Sequence, residues 1–181
     1  AGLRYRASHG YASRAMVVVP NGIDIARFTP DCAAGAAQRA RWGIPPGAIL
    51  IGQVSRLDPM KGHATFLEAA ARLARERPQV HFVCVGAGQA GYAQELRRMA
   101  SALGLDGRLT WAGATDAPRD AYNALDIATL ASRYGEGFAN TVGEAMACGV
   151  PCVATDAGDS AWVVGDAAQV VPPNDAEALA Q

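Results

Sequence analysis

Short apolar runs rich in Val and Ile alternate along this chain with longer stretches whose apolar positions recur every three or four residues. The runs at 16–19, 49–54, 80–85, 109–112, 127–130, 152–154 and 169–171, set off by Gly, Pro or Asp, predict buried strands. Between them, 63–77, 92–103, 118–125 and 140–148 predict helices. In the first of these, Phe66, Leu67, Ala70, Leu73 and Ala74 form one apolar stripe, with Arg72, Arg75, Glu76 and Arg77 mostly on the other side. The stretch 21–46, punctuated by Gly and Pro, predicts a connector with one short helix at 36–42, and Asn174 to Glu177 has the capping-box pattern that starts a further helix.

Strand followed by helix, repeated, predicts an α/β fold with a parallel sheet and helices on both faces. In such a sheet ligands sit beyond the carboxyl ends of the strands, so the loop after each strand is where chemistry is expected.

At 181 residues the chain is long enough for one well-filled domain and too short for two large ones flanking a cleft. We therefore expect a single domain over 1–181, with an opening strand and connector over 1–46 and the main α/β body over 47–181. Half the residues are hydrophobic, 18% are charged and the formal net charge is −1, which speaks against disorder and against a nucleic-acid partner. Cys32, Cys84, Cys148 and Cys152 form no CxxC pair and read as small buried hydrophobes of a reducing compartment. Histidine occurs only at 9, 63 and 81, so no metal site is expected. No apolar run approaches the roughly 18 residues of a membrane span. A cytoplasmic location is expected, with any contact to a membrane face left to parts of the protein outside this sequence. The first residue is Ala1, and a new helix is announced shortly before Gln181, so a piece of something longer is expected.

The stretch from Tyr134 to Pro151 reads as a glycine-loosened loop running into a short helix. Gly135 to Ala139 carry little side chain to keep a ligand off the backbone. Asn140 or Thr141 starts the helix, where free amides and the helix dipole favour an anion. Glu144 lies about one turn on, and a carboxylate there suits the hydroxyls of a diol such as a ribose rather than a phosphate. Glu136 stands eight positions before it.

A second candidate loop, Ser55 to Gly62, follows the 49–54 strand. Arg56 and Lys61 could both aim at one anion, Arg56 as a planar fork and Lys61 as a compact charge. The plainer alternative pairs Arg56 with Asp58 and leaves Lys61 in solvent.

Glu136 and Glu144 in this spacing resemble the Glu-x7-Glu signature of the GT-B retaining glycosyltransferases, family 4 in particular. Gly52, Arg56, Leu57, Lys61 and Gly62 are similar to another element of the same family, in the expected order. Pro20-Asn-Gly-Ile-Asp24 with Phe28 and Pro30, then Val85-Gly-Ala-Gly88, Trp111-Ala-Gly113 and Val171-Pro-Pro173, extend the likeness over almost the whole chain.

The resemblance implies the Rossmann-like, carboxyl-terminal half of a GT-B fold: the donor-binding domain of a hexosyltransferase. Such an enzyme moves a sugar, with retention, from a nucleoside-diphosphate-sugar to an acceptor hydroxyl. It implies that Glu144 holds the ribose, that Glu136 orients the sugar, and that Gly137, Phe138, Ala139, Asn140 and Thr141 meet the donor. Arg56, Lys61 and the amides at Asn140 and Thr141 would stabilise charge growing on the leaving diphosphate, doing the work of a metal. Gly113 and Thr115 are expected near the base. No cofactor and no metal are expected. The acceptor is undefined and the amino-terminal domain that binds it is absent, so the isolated chain is expected to transfer nothing.

Where many relatives carry a glutamate after the 152–154 strand, this chain has Asp159-Ser-Ala-Trp162, and that loop is assigned no contact. Alternatives remain: a phosphorylase or sucrose-synthase-like enzyme on the same scaffold, or a noncatalytic nucleotide-sugar module. Gly86, Gly88 and Gly91 also spell a dinucleotide G-x-G-x-x-G, but no acidic residue ends the next strand to hold a ribose. These glycines are therefore expected to form a tight turn lining the same cleft.

Overall fold

The computed structural model describes residues 2–11, 16–165 and 169–181. Its elements, in chain order, are α1 (Gly2–Ser8), α2 (Cys32–Trp42), β1 (Ile49–Val54), a 3-10 turn (Pro59–Lys61), α3 (His63–Glu76), β2 (Val80–Val85), α4 (Ala90–Ala102) and β3 (Leu109–Gly113). There follow α5 (Pro118–Asn123), β4 (Ile127–Leu130), α6 (Asn140–Ala147), β5 (Cys152–Thr155), α7 (Ser160–Val164), β6 (Val170–Val171) and α8 (Ala176–Ala180).

The six strands form one parallel sheet in the order β3-β2-β1-β4-β5-β6. The order reverses between β1 and β4, which opens a crevice at their carboxyl ends. Successive residues of a strand point to opposite faces, so Leu50 enters one apolar core and Ile51 the other. Phe28, Tyr122, Val142 and Ala145 fill the first core, beneath α5 and α6; Phe66, Leu67, Leu96 and Leu179 fill the second, beneath α3, α4 and α8. Burying a side chain of this size stabilises by about 1.5–3 kcal/mol, so each face rests on its helices.

The structure departs from the sequence reading in several places. Residues 16–19 form no strand, and Val17 and Val19 are 86% and 83% exposed. A valine run favours extended backbone, but a strand exists only where another backbone takes its hydrogen bonds, and none among the described residues does so here. The connector helix starts four residues earlier than expected because Asp31 caps it, accepting from the Ala34 amide at 2.9 Å. The last helix is capped by Asp175 instead of Asn174, with Oδ1 accepting from Glu177 and Ala178. Cys84, Cys148 and Cys152 are buried as expected, whereas Cys32, at the first turn of α2, is exposed. Among the described residues no helix is long and apolar enough to cross a membrane.

Candidate functional site

The crevice is walled by the loops that leave β1 and β4. After β1, Asp58 Oδ1 accepts from the Met60 amide at 2.9 Å, Pro59 presets the turn, and Gly62 closes it at φ 63°. Gly62 lies so close to the Ala131 carbonyl that a Cβ would overlap it, and the Arg133 amide donates to the Met60 carbonyl at 2.8 Å. The two loops are therefore joined backbone to backbone.

Beneath them lies a layer of buried polar side chains. Gln53, fully buried at the end of β1, donates from Nε2 to the Lys61 carbonyl at 2.8 Å and accepts at Oε1 from the Ala131 amide at 3.4 Å. His63 Nε2 lies 3.4 Å from Ser55 Oγ, while its Nδ1 is buried without a hydrogen-bond partner. Burial, reinforced by the Lys61 charge, pushes His63 down to about 4, against a smaller opposing effect of the Asp58 carbonyl, so the ring is neutral near pH 7.

Lys61 and Glu136 meet directly. Lys61 Nζ lies 2.5 Å from Glu136 Oε1, their side chains being 14% and 7% exposed, and Ser132 Oγ donates to the same oxygen. Lys61 is thus held in the fold, not left in solvent. Arg56 differs: its side chain is 74% exposed and its nearest carboxylate, Asp58, stands at 4.0 Å, where attraction is largely screened.

A cavity of about 440 Å³ opens beside these loops, lined by Arg56, Gly86, Thr115, Tyr122, Thr141 and Glu144 among others. Thr115 Oγ1 accepts from the Ala117 amide at 3.1 Å and so fixes the turn into α5. Tyr122, 1% exposed, donates its hydroxyl to Glu144 Oε2 at 2.7 Å. An exposed guanidinium, the Thr141 amide at the start of α6 and a carboxylate around one cavity can hold an anion at one end and hydroxyl donors at the other.

Four expected site residues, Arg56, Thr115, Thr141 and Glu144, line this cavity together. Lys61 and Glu136 form the neighbouring pair. Gly113 sits two residues before Thr115 with its carbonyl accepting from the Gly86 amide at 2.7 Å. Gly137 is exposed, Phe138 packs edge-on against Trp162 at 6.2 Å, and Ala139 is 2% exposed, so its side chain belongs to the core and only its backbone can meet a ligand. Asn140 corrects the expectation of two free amides. Its N–H turns back to the Phe138 carbonyl at 2.9 Å, and its side-chain Oδ1 accepts from Asn21 Nδ2 at 3.0 Å. The Thr141 amide takes no partner among the described residues. Gly86 and Gly88 press against the carbonyls of Ser55 and Leu57, where a Cβ would overlap, so these glycines join two loops.

Sequence reasoning missed Tyr122, Gln53, Ser132 and His63. For Gln53 a signal was present: an amide inside an otherwise apolar buried strand must find partners, and those partners lie at the site.

The sheet matches the Rossmann-like half of the GT-B fold. A family model described as glycosyl transferases group 1 matches residues 48–181, and the chain belongs to that family. It is 34% identical over 167 residues to a D-inositol 3-phosphate glycosyltransferase of Geodermatophilus obscurus, covering 87% of this chain and 36% of that protein. It is 32% identical to a GDP-mannose-dependent alpha-(1-6)-phosphatidylinositol monomannoside mannosyltransferase of Mycolicibacterium smegmatis, covering 97% of this chain and 48% of that one. The crystal structure of Anabaena Alr3699/HepE in complex with UDP-glucose superposes with a TM-score of 0.89 at 28% identity, over 98% of this chain and 49% of the other. The chain thus spans less than half the length of each of these proteins.

Proposed function

We propose that this chain is the carboxyl-terminal, donor-binding domain of a retaining family 4 glycosyltransferase. The enzyme transfers a sugar from a nucleoside-diphosphate-sugar to an acceptor hydroxyl without a divalent metal. The observation that carries this reading is the cavity at the β1–β4 crevice, where Arg56, Thr141 and Glu144 stand together. Arg56 and the Thr141 amide meet the diphosphate, and their positive ends stabilise charge that grows there as the glycosidic bond breaks. Glu144 accepts from the ribose, and Gly113 and Thr115 lie toward the base. The sugar extends toward Glu136, with the backbone from Gly137 to Asn140 closing around it. Lys61 adds its charge from the side, held by Glu136 at the height of the diphosphate. Binding of UDP-glucose by a structure of such close backbone likeness supports a donor of this class.

The test is nucleotide binding by the wild type and Glu144→Gln, read by thermal shift against UDP, GDP, ADP and NAD without metal. One nucleoside diphosphate should stabilise the wild type, and about 100 Kd of ligand corresponds to about 2.7 kcal/mol. Glu144→Gln should lose most of that shift at an unchanged ligand-free Tm. A shift with NAD alone, or equal shifts in both proteins, would overturn the assignment.

A further inference from the structure

Tyr122 sits in α5 with its ring edge-on to Phe28 at 6.1 Å, and its hydroxyl reaches Glu144 Oε2 on α6 at 2.7 Å. Both side chains line the cavity, so the bond ties two helices together where a ligand would lie. A phenol has one proton to give, and here it goes to one oxygen of Glu144. Burial first, and then Glu144, push the Tyr122 hydroxyl far above its ordinary range, so it stays a donor wherever the protein is folded. The second oxygen, Oε1, accepts no hydrogen bond among the described residues. A glutamate free at both oxygens turns about its last torsion over a broad range; fastened at one, it offers the other in a fixed direction.

The geometry points to Tyr122 as a positioning residue: by fastening Oε2 it aims Oε1 of Glu144 at a ribose hydroxyl of the bound nucleoside diphosphate. This rests on the nucleotide-sugar reading above. Tyr122 touches no reacting atom in this role; it acts through Glu144. A tyrosine serving only the core would lower stability when cut back, without altering which sugars of a nucleotide the cavity distinguishes.

The experiment is calorimetric titration of the full chain with UDP, GDP and ADP, then with the 2′-deoxy and 3′-deoxy forms of whichever binds most tightly. Wild type should lose about 10-fold in affinity for at least one deoxy form, the worth of one hydrogen bond to a charged group. Tyr122→Phe should lose about 10-fold for the ribonucleotide and bind that deoxy form as wild type does, so that discrimination falls to within about twofold. Where Tyr122→Phe does not fold, Tyr122→Phe/Glu144→Gln, which leaves no lone carboxylate, is compared with Glu144→Gln. Equal affinities in those two chains support the role, and a further loss in the double variant overturns it. Full discrimination retained by Tyr122→Phe overturns the positioning role alone. A wild type that treats ribose and deoxyribose alike removes the ribose role of Glu144 and this proposal with it. No binding by any of the three diphosphates defeats the nucleotide reading itself.

Discussion

Acidification acts on the polar layer beneath the cavity through one side chain, His63. Its ring is fully buried, and its folded value of about 4 lies below the ordinary 6.5 of an unfolded chain. Between those values the unfolded chain binds the proton and the folded one refuses it, so stability is complete above 6.5 and drains away as pH falls toward 4. One unit is worth about 1.4 kcal/mol, so the whole window amounts to about 3 kcal/mol, of which about 2 kcal/mol is gone at pH 5. For a domain of this size that is about 4–8 °C in Tm. Other groups titrate too, His81 among them, so the contribution is isolated as the difference between wild type and His63→Gln. Urea unfolding followed by circular dichroism at pH 7.5 and pH 5 should show wild type losing about 2 kcal/mol more than the variant. Parallel losses in the two chains would refute the reasoning, as would an imidazole seen by NMR to be protonated in the folded protein at pH 5.5.

Arg56→Ala in the full-length enzyme should lower transfer by roughly two to four kcal/mol of electrostatic stabilisation at unchanged Tm, because the side chain is exposed; near-normal rates would remove it from the diphosphate site. Lys61→Met leaves the Glu136 carboxylate buried with only Ser132 for company, and should cost about 3 kcal/mol in urea unfolding, with Lys61→Met/Glu136→Gln regaining most of it. If the single and double variants unfold alike, the pair is not what holds the two loops. EDTA should leave transfer unaltered, and a loss restored by magnesium would contradict the metal-independent reading.

All six strands of the sheet were legible in the sequence, because an apolar run with sharp boundaries marks a strand that is covered by helices. Ile49–Val54, Val80–Val85 and Ile127–Leu130 fall where the pattern put them. Residues 16–19 carry the same local preference, yet local preference does not supply a pairing partner. The five-residue α7 was missed because one helical turn and a half is too short for periodicity to show. Of the residues that line the cavity, Arg56, Thr141 and Glu144 were singled out because each stands in a loop or in the first turns of a helix after a predicted strand, and Thr115 because the family resemblance pointed to it. Tyr122 was not, since its bond to Glu144 spans 22 positions and its position in the apolar face of α5 looks like any core aromatic. The Lys61–Glu136 pair, 75 positions apart, was hidden for the same reason: each residue was read against solvent or ligand, and neither against the other.

Backbone meets backbone around this cavity with no side chain between: Gly62 against Ala131, Gly86 against Ser55, and Gly158, in the loop after β5, against the carbonyl of Glu136. That divides the site into two kinds of position with different freedom to vary. At the glycines any substituent collides with a neighbouring main chain, so the spacing of the loops cannot drift by single replacements. Ala114 also lines the cavity, and a replacement there alters the lining while the frame stays put, whereas Thr115 belongs to both, since its hydroxyl fixes the turn into α5. On the nucleotide-sugar reading proposed above, a lineage, or an engineer, could therefore change which donor base is accepted by residue changes at the wall, without renegotiating the frame of loops around it.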